Sequence, residues 1–187
     1  MALPEKKLDV TEARLAALTM PDGPAWAAGA RSEALARVRA MGLPARRDEY
    51  WKYTRPERLT QPDAPAAARF DPGVESPVFG EIDRVQIVFV DGVFDADASD
   101  DLALAGVEIE RLATAQADIH WAKDIYGALE ARGQDPVERP LGALNTAFAT
   151  DGVLSRVTGK AGKPVNLTYL HRSETSDATL HHVVKVE

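Results

Sequence analysis

The hydrophobic period changes once along the chain, and this change limits the possible folds more than any other sequence feature. Before residue 60 the apolar residues recur at the helical spacing, as in the series Ala27, Ala30, Ala34, Leu35, Val38 and Met41. After residue 78 the period becomes two, beginning with VQIVFV at 85–90 and the Asp91-Gly92 turn. Proline is frequent between them and favours extended chain. The sequence therefore predicts a helical region at 1–60, a Pro-rich connector at 61–77 and a mixed α/β segment at 78–187.

Strand signals dominate the end of the chain. Apolar runs at 153–157, 165–170 and 180–186 are separated by GKAGK and SETSD, whereas helical spacing recurs at 115–131 and at 140–148. Short strands joined by such turns fit a sandwich, a barrel or the start of a solenoid. The last strand runs to Glu187 with nothing to cover its edge, which natural sheets usually avoid. We therefore expect a piece of a longer protein, cut within a sheet, that self-associates through the uncovered end.

Composition excludes several classes of protein. Among the 187 residues there is no Cys, which rules out a disulfide framework, a thiolate metal site and a Cys nucleophile within them. The 29 acidic residues exceed the 22 Lys and Arg, and this balance argues against binding nucleic acid, because affinity for phosphate comes mainly from Lys and Arg. No window approaches the roughly 20 apolar residues of a membrane helix, and no signal-peptide core is visible. These features predict a cytoplasmic protein without nucleic-acid or membrane partners.

The densest group of candidate functional side chains lies in GLPARRDEYWKYT at 42–54. Two interpretations are open for it. In the first, the segment forms an anion- or peptide-binding surface. In the second, Trp51 and Tyr53 anchor the segment against the helices, while the charged residues 46–49 pair among themselves. The candidate residues are Arg46, Arg47, Glu49, Trp51, Lys52, Tyr53 and Thr54.

No catalytic motif stands out elsewhere. The sequence lacks GxxxxGK[ST], GxGxxG and GxSxG. His181 and His182 are adjacent in a predicted strand, so their side chains point to opposite faces and do not chelate one metal together. An alternative function nevertheless stays open at this point: a small metal- or carbohydrate-binding β domain of the cupin or jelly-roll type, with His171 and His181 as ligands.

Four segments together resemble a known family in the same order along the chain. They are GLPARRDEYWKYT at 42–54, VQIVFVDGVF at 85–94, LGALNTAFATDGV at 141–153 and KPVNLTYL at 163–170. The chain resembles the SufB/SufD family of the SUF iron-sulfur cluster assembly machinery, and within that family it is more similar to the SufD branch. The most specific element is the pattern LNxAFAxDG at 144–152.

The resemblance implies both a fold and a function. It implies an α+β chain in which an N-terminal helical region leads into the first coils of a right-handed parallel β-helix. It also implies a non-catalytic scaffold subunit that acts with SufB and the ATPase SufC. The iron-sulfur cluster and ATP would be handled by the wider complex, and no cofactor, catalytic residue or metal ligand is assigned to this chain.

Overall fold

The computed structural model describes residues 3–63, 65–69, 71, 73, 78–117 and 120–187, which form two compact units. One unit comprises Met1–Ala64 with Ala115–Thr150, and the other comprises Pro65–Thr114 with Asp151–Glu187. Among the described residues the α-helices belong to the first unit and the strands to the second. Part of the predicted connector at 61–77 lies outside the described residues, and the predicted boundaries of that segment stay a prediction.

The first unit is helical. Its helices are α1 (Glu5–Ala16), α2 (Ala28–Met41), α3 (Glu57–Thr60), α4 (Ala128–Arg132) and α5 (Pro140–Phe148). The helical spacing before residue 42 correctly predicts α2, which ends where Gly42 takes a φ of 65°. Pro140 begins α5 as predicted, because the missing N–H of proline is not needed in the first turn of a helix. None of the helices among the described residues combines the length and apolar character that crossing a membrane requires.

The core of the first unit lies between α2 and α5. Ala34 and Val38 of α2 are fully buried, as are Ala143 and Ala147 of α5. Alanine side chains are small, so the two helix backbones approach closely, and the larger Phe148 fills the end of the contact. Of the residues with helical spacing in the sequence, Ala34, Val38 and Met41 form this core and Leu35 packs against it.

The helix predicted at 115–131 is wrong for most of its length, because only Ala128–Arg132 is helical. In the described part of 115–127 the backbone forms short turns, in which the N–H groups of Lys123 and Ile125 bond to the carbonyl three residues back, and two further backbone groups bond to side chains. The Trp26 Nε1–H group donates to the Ala115 carbonyl at 2.8 Å, and the Ala122 N–H donates to His120 Nδ1 at 3.1 Å. The rings of Trp26 and His120 stack at 4.8 Å. A side chain that bonds to a nearby backbone N–H, as His120 does, competes with helix formation, and the spacing of apolar residues does not predict such a bond.

The second unit consists of two three-stranded sheets. Its strands are β1 (Val85–Val90), β2 (Val93–Asp95), β3 (Val107–Arg111), β4 (Val153–Val157), β5 (Val165–Leu170) and β6 (Val183–Val186). The strand order is β2-β1-β5 in one sheet and β3-β4-β6 in the other. In each sheet the central strand has one antiparallel and one parallel neighbour. Ile87 and Phe89 of β1 form a buried cluster with Val153 of β4.

The predicted β-helix is wrong, although the succession of helices and strands agrees with the α+β prediction. A β-helix would stack the last three strands one above another, but β5 pairs with β1 and β4 pairs with β6. Antiparallel neighbours make both sheets mixed. In the first sheet the cause is local, since Asp91 (φ 51°) and Gly92 (φ 82°) form a tight turn that sends β2 back along β1. The predicted self-association depended on an uncovered β-helix end. Because the described strands form mixed sheets, that argument for self-association no longer applies.

The Asp91-Gly92 turn also holds the loop that follows β5. The Asp91 carboxylate accepts hydrogen bonds from the N–H groups of Arg172 and Ser173 and from the Ser176 hydroxyl, all at 3.0–3.1 Å. The bond from the Ser173 N–H is the main reason that the pKa of Asp91 lies below its usual value. A side chain on Gly92 would meet Ala178, because an added Cβ would lie 2.7 Å from the Ala178 Cβ. The turn and the loop therefore form one packed feature.

Asp151 and Gly152 join the strands β3, β4 and β6. The Asp151 carboxyl group is 4% exposed and accepts bonds from the Arg111 guanidinium and from the N–H groups of Ala113 and Gly152. The Asp151 carbonyl accepts from the His181 N–H at 3.0 Å. An added Cβ on Gly152 would lie 1.9 Å from the His181 carbonyl oxygen, so the two backbones touch directly at this point.

Replacing Gly152 by Ala should destabilise the protein strongly, because the methyl group has to displace backbone and not a flexible side chain. We expect Gly152→Ala to lower the free energy of unfolding by about 3 kcal/mol or more, measured by urea denaturation. Gly162→Ala is the matched control, since an added Cβ there meets nothing within 4 Å. Equal stability of the two variants would contradict the close approach of the strands.

Candidate interaction site

The segment that follows α2 is held in place from α1. Thr11 of α1 is fully buried; its hydroxyl donates to the Lys7 carbonyl at 2.7 Å and accepts from the Leu43 N–H at 2.8 Å. Lys7 also forms an ion pair with Asp48 at 3.0 Å, and the same carboxylate accepts from the Ala45 N–H at 3.1 Å. These bonds fix where the chain leaves α2 and where the next turn begins.

That turn directs aromatic side chains outward. Glu49–Trp51 forms a single 3₁₀ turn, in which Trp51 is half-buried and packs edge-on against Tyr50 with ring centroids 5.9 Å apart. Tyr50 is 63% exposed and Tyr53 is 92% exposed. The interpretation of Tyr53 as an anchor against the helices is therefore wrong. Large exposed aromatic side chains are typical of surfaces that contact another protein.

The aromatic side chains line one wall of an open cleft within the first unit. The cleft has a volume of about 790 Å³, and Pro136, Val137, Glu138 and Pro140 form the facing wall. We call this feature the aromatic cleft; its walls are residues 48–53 with Lys7 on one side and residues 136–138 with Pro140 on the other. Its lining combines three aromatic side chains with five charged ones, of which Lys7 pairs with Asp48 and Lys52 with Glu49.

Four of the five charged side chains that line the cleft form ion pairs within the chain. Lys52 forms an ion pair with Glu49 and lies 5.1 Å from the centre of the Tyr53 ring, a distance at which a cation and an aromatic face attract each other. Asp48 pairs with Lys7, so the predicted pairing of the charged residues 46–49 among themselves does not hold for this carboxylate. Because only Glu138 among these side chains forms no ion pair with the described residues, the cleft favours a partner that brings apolar and hydrogen-bonding groups over a strongly charged one.

The structure brings together only part of the predicted set of residues. Glu49, Trp51, Lys52 and Tyr53 line the aromatic cleft. Arg46, Arg47 and Thr54 are exposed and lie outside its lining. Sequence reasoning missed Tyr50, although it lies inside the same run of residues. The facing wall at 136–140 carried no recognisable sequence signal, since it is about ninety residues away and consists mainly of Pro and Val.

The histidines of the alternative interpretation do not converge on a metal site. Within the described ranges no group of three or more His, Asp or Glu side chains is placed to hold a metal ion. His171 is exposed, and His182 uses both ring nitrogens inside the second unit. No observation on the described residues favours the cupin or jelly-roll interpretation.

His182 is held in its neutral form. Its Nδ1 accepts from the Val153 N–H at 2.9 Å, so the ring proton lies on Nε2, which donates to the Tyr169 hydroxyl at 2.8 Å. Burial lowers the pKa of His182 below its usual value, and the nearby Asp151 charge opposes this effect only in part. Burial likewise raises the pKa of the Tyr169 hydroxyl. The pair is a structural contact between β4, β5 and the approach to β6, without the features of a catalytic dyad.

Comparison with known families identifies the chain. A family model described as the SufBD protein N-terminal region matches residues 22–162, well over half of the sequence. The chain belongs to the SufB/SufD family. This membership connects it with SUF iron-sulfur cluster assembly and confirms the family resemblance of the sequence motifs. No curated protein matches the sequence. The match includes every residue that lines the aromatic cleft except Lys7.

The buried neutral His182 predicts a pH dependence of stability. Since the pKa of His182 is lower in the folded protein than in the unfolded chain, the unfolded chain binds the proton first as the pH falls below about 6.5. The contribution of His182 to the free energy of unfolding is therefore complete above this pH. It is lost as the pH falls toward the pKa of His182 in the folded protein.

Urea denaturation at pH 7.5 and at pH 5.5 tests this dependence. His182→Asn keeps an acceptor toward Val153 but does not titrate, and it should lose less stability over this interval than the parent protein. His171→Asn is the control, because His171 is exposed. A pH dependence in His182→Asn as steep as in the parent would show that the ring is not buried as a neutral group.

Proposed function

We propose that this SufB/SufD-family chain is a SufD-type scaffold subunit that acts with SufB and the ATPase SufC in iron-sulfur cluster assembly. The family match over 22–162 is the observation that carries the proposal. The choice of the SufD branch rests on the resemblance of the four motifs at 42–54, 85–94, 141–153 and 163–170.

The proposed role is non-catalytic and cytoplasmic. A nascent iron-sulfur cluster is normally held by Cys thiolates, and the 187 residues contain none. The cluster would accordingly be held by other residues of the assembly, ATP would be hydrolysed by SufC, and this region would bind no cofactor. Its contribution would be a rigid protein surface.

We propose the aromatic cleft as that surface. Its exposed Tyr50 and Tyr53 provide the anchors that protein interfaces favour, and four of its five charged side chains are already paired inside the chain. The cleft is held from α1 by Thr11 and Lys7, so it is formed before a partner arrives. A preformed surface binds without the cost of ordering a loop.

Co-purification tests the scaffold role. The tagged full-length protein that carries these residues is co-expressed with SufB and SufC and purified at moderate salt. We expect all three proteins to elute together in a fixed ratio, whereas untagged SufB and SufC alone should not be retained. Recovery of the folded protein without either partner would contradict the proposal.

Removing the most exposed ring tests the role of the aromatic cleft separately. We expect Tyr53→Ala to weaken the association with SufB and SufC by about five- to thirtyfold, which corresponds to about 1–2 kcal/mol, in a titration by calorimetry. Phe79→Ala is the matched control, because Phe79 is an aromatic residue that is 70% exposed and lies outside the cleft. If both variants bind as the parent does while the complex itself forms, the cleft is not the contact surface.

A further inference from the structure

One charged side chain of the aromatic cleft is left for a partner to neutralise. Lys7 pairs with Asp48 and Lys52 with Glu49, whereas Glu138 on the facing wall forms no ion pair with the described residues. Glu138 is exposed at the protein surface, so a cationic side chain of a partner can reach it. The cleft therefore presents one available negative charge on the wall that faces its aromatic rings.

The aromatic wall presents ring faces in more than one direction. The rings of Tyr50 and Trp51 have centroids 5.9 Å apart and planes inclined at 78° to each other. Tyr53, which follows two residues later, is 92% exposed. Such rings offer apolar faces, and the exposed tyrosine hydroxyls also donate hydrogen bonds. This wall suits a partner that brings compact apolar groups together with accessible carbonyl oxygens.

Other common modes of peptide recognition fit this cleft poorly. Addition of a strand requires a free sheet edge, and no strand of the described residues lines the cleft. An amphipathic helix requires a broad apolar groove, but Val137 is the one branched aliphatic side chain that the described part of the lining contains. A phosphorylated segment requires a cluster of Arg, whereas the cations found in this lining are two Lys that are already paired.

We propose that the aromatic cleft binds an extended, proline-containing segment of a partner protein, with a Lys or Arg of that segment paired with Glu138. The proposal rests on the proposed role of the cleft as a contact surface, and it names the kind of segment that the cleft contacts. The carbonyl groups of a polyproline II helix have no internal partners, so they are available to the hydroxyls of Tyr50 and Tyr53. The proline rings pack against the aromatic faces, a mode that aromatic-lined grooves use.

Both sides of this contact are ordered before they meet. The bond from the Leu43 N–H to Thr11 and the ion pair between Lys7 and Asp48 fix the near wall of the cleft. A proline-rich segment already favours the extended conformation in solution. Association therefore loses little conformational entropy, which favours binding through a small surface. A flexible segment of the same charge lacks this advantage, so the contributions of proline and of charge can be tested separately.

Nitrogen-15 NMR of the 187-residue chain tests the proposal without SufB or SufC. The probe is the synthetic peptide AAPPAPPRAA, blocked at both ends, and the readout is the indole N–H signal of Trp51, assigned with Trp51→Phe. The chain has three Trp residues, and Trp26 and Trp121 lie outside the cleft lining, so their signals are internal controls. We expect a saturable shift of the Trp51 signal with little change in the other two.

Two control peptides separate the contribution of proline from that of charge. AASSASSRAA keeps the Arg but replaces the prolines by Ser, and we expect it to bind about tenfold more weakly or less. AAPPAPPEAA keeps the prolines but brings a Glu toward Glu138. We expect it to bind about threefold more weakly than AAPPAPPRAA at low salt, because exposed ion pairs have modest energies.

Variants of the protein assign these effects to residues. Tyr50→Ala should weaken the binding of AAPPAPPRAA by about tenfold, since it removes an exposed ring of the cleft, while Phe79→Ala removes an exposed ring outside the cleft and should bind as the parent does. Glu138→Gln keeps the shape of the side chain and removes its charge. In this variant the Arg and Glu peptides should bind with nearly equal affinity.

Three results would overturn the proposal: no saturable shift of the Trp51 signal, equal binding of AASSASSRAA, or an unchanged preference for the Arg peptide in Glu138→Gln. The co-purification with SufB and SufC is scored separately. If the three proteins co-purify but the peptide does not bind, the scaffold role stands and the proline-containing segment is wrong. If the peptide binds but the proteins do not co-purify, the cleft binds such a segment of a different partner and the scaffold role is wrong.

Discussion

The buried Asp151 carboxylate is the constraint on which the strand unit depends. An ionised carboxylate only accepts hydrogen bonds, so its burial requires several donors, and Arg111, Ala113 and Gly152 provide them. The next residue must be Gly, because the His181 carbonyl occupies the place of its Cβ. The Asp-Gly pair thus brings the ends of β3 and β4 and the approach to β6 to one point. It also explains why the motif LNxAFAxDG is informative, since its last two residues have a strict structural role.

The two units contribute different things to the proposed function. The strand unit uses its polar residues internally: Asp91 holds a loop, Asp151 joins strands, and His182 bridges Val153 and Tyr169. The helical unit instead exposes Tyr50 and Tyr53 along the aromatic cleft, while Trp26 and Phe148 are buried inside the unit. Exposed aromatic side chains are typical of surfaces that bind proteins, and the cleft they line falls largely within the region that matches the SufB/SufD family.

Local structure could be predicted from the sequence where a nearby sequence feature, such as apolar spacing or a turn, determines it. Spacing and helix-ending residues predicted α2 and α5, and alternation with the Asp91-Gly92 turn predicted β1 and β2. The pairing of distant strands could not be predicted. β5 pairs with β1, which lies about eighty residues away in the sequence, and the alternation of apolar residues does not say which strands pair. The same holds for the aromatic cleft. Its near wall is largely one continuous segment that the sequence shows, but the far wall at 136–140 is about ninety residues away and comes beside it only through tertiary contacts.

The central claim is that the aromatic cleft is a preformed protein-contact surface of a SUF assembly subunit. Amide hydrogen exchange of the full-length protein, measured alone and in the presence of SufB and SufC, tests it most directly. The account predicts that peptides covering 45–54 and 136–142 exchange more slowly in the mixture, while the strand segment 153–157 changes little because it is already protected. Unchanged exchange at both cleft walls in a mixture where the complex has formed would contradict the claim.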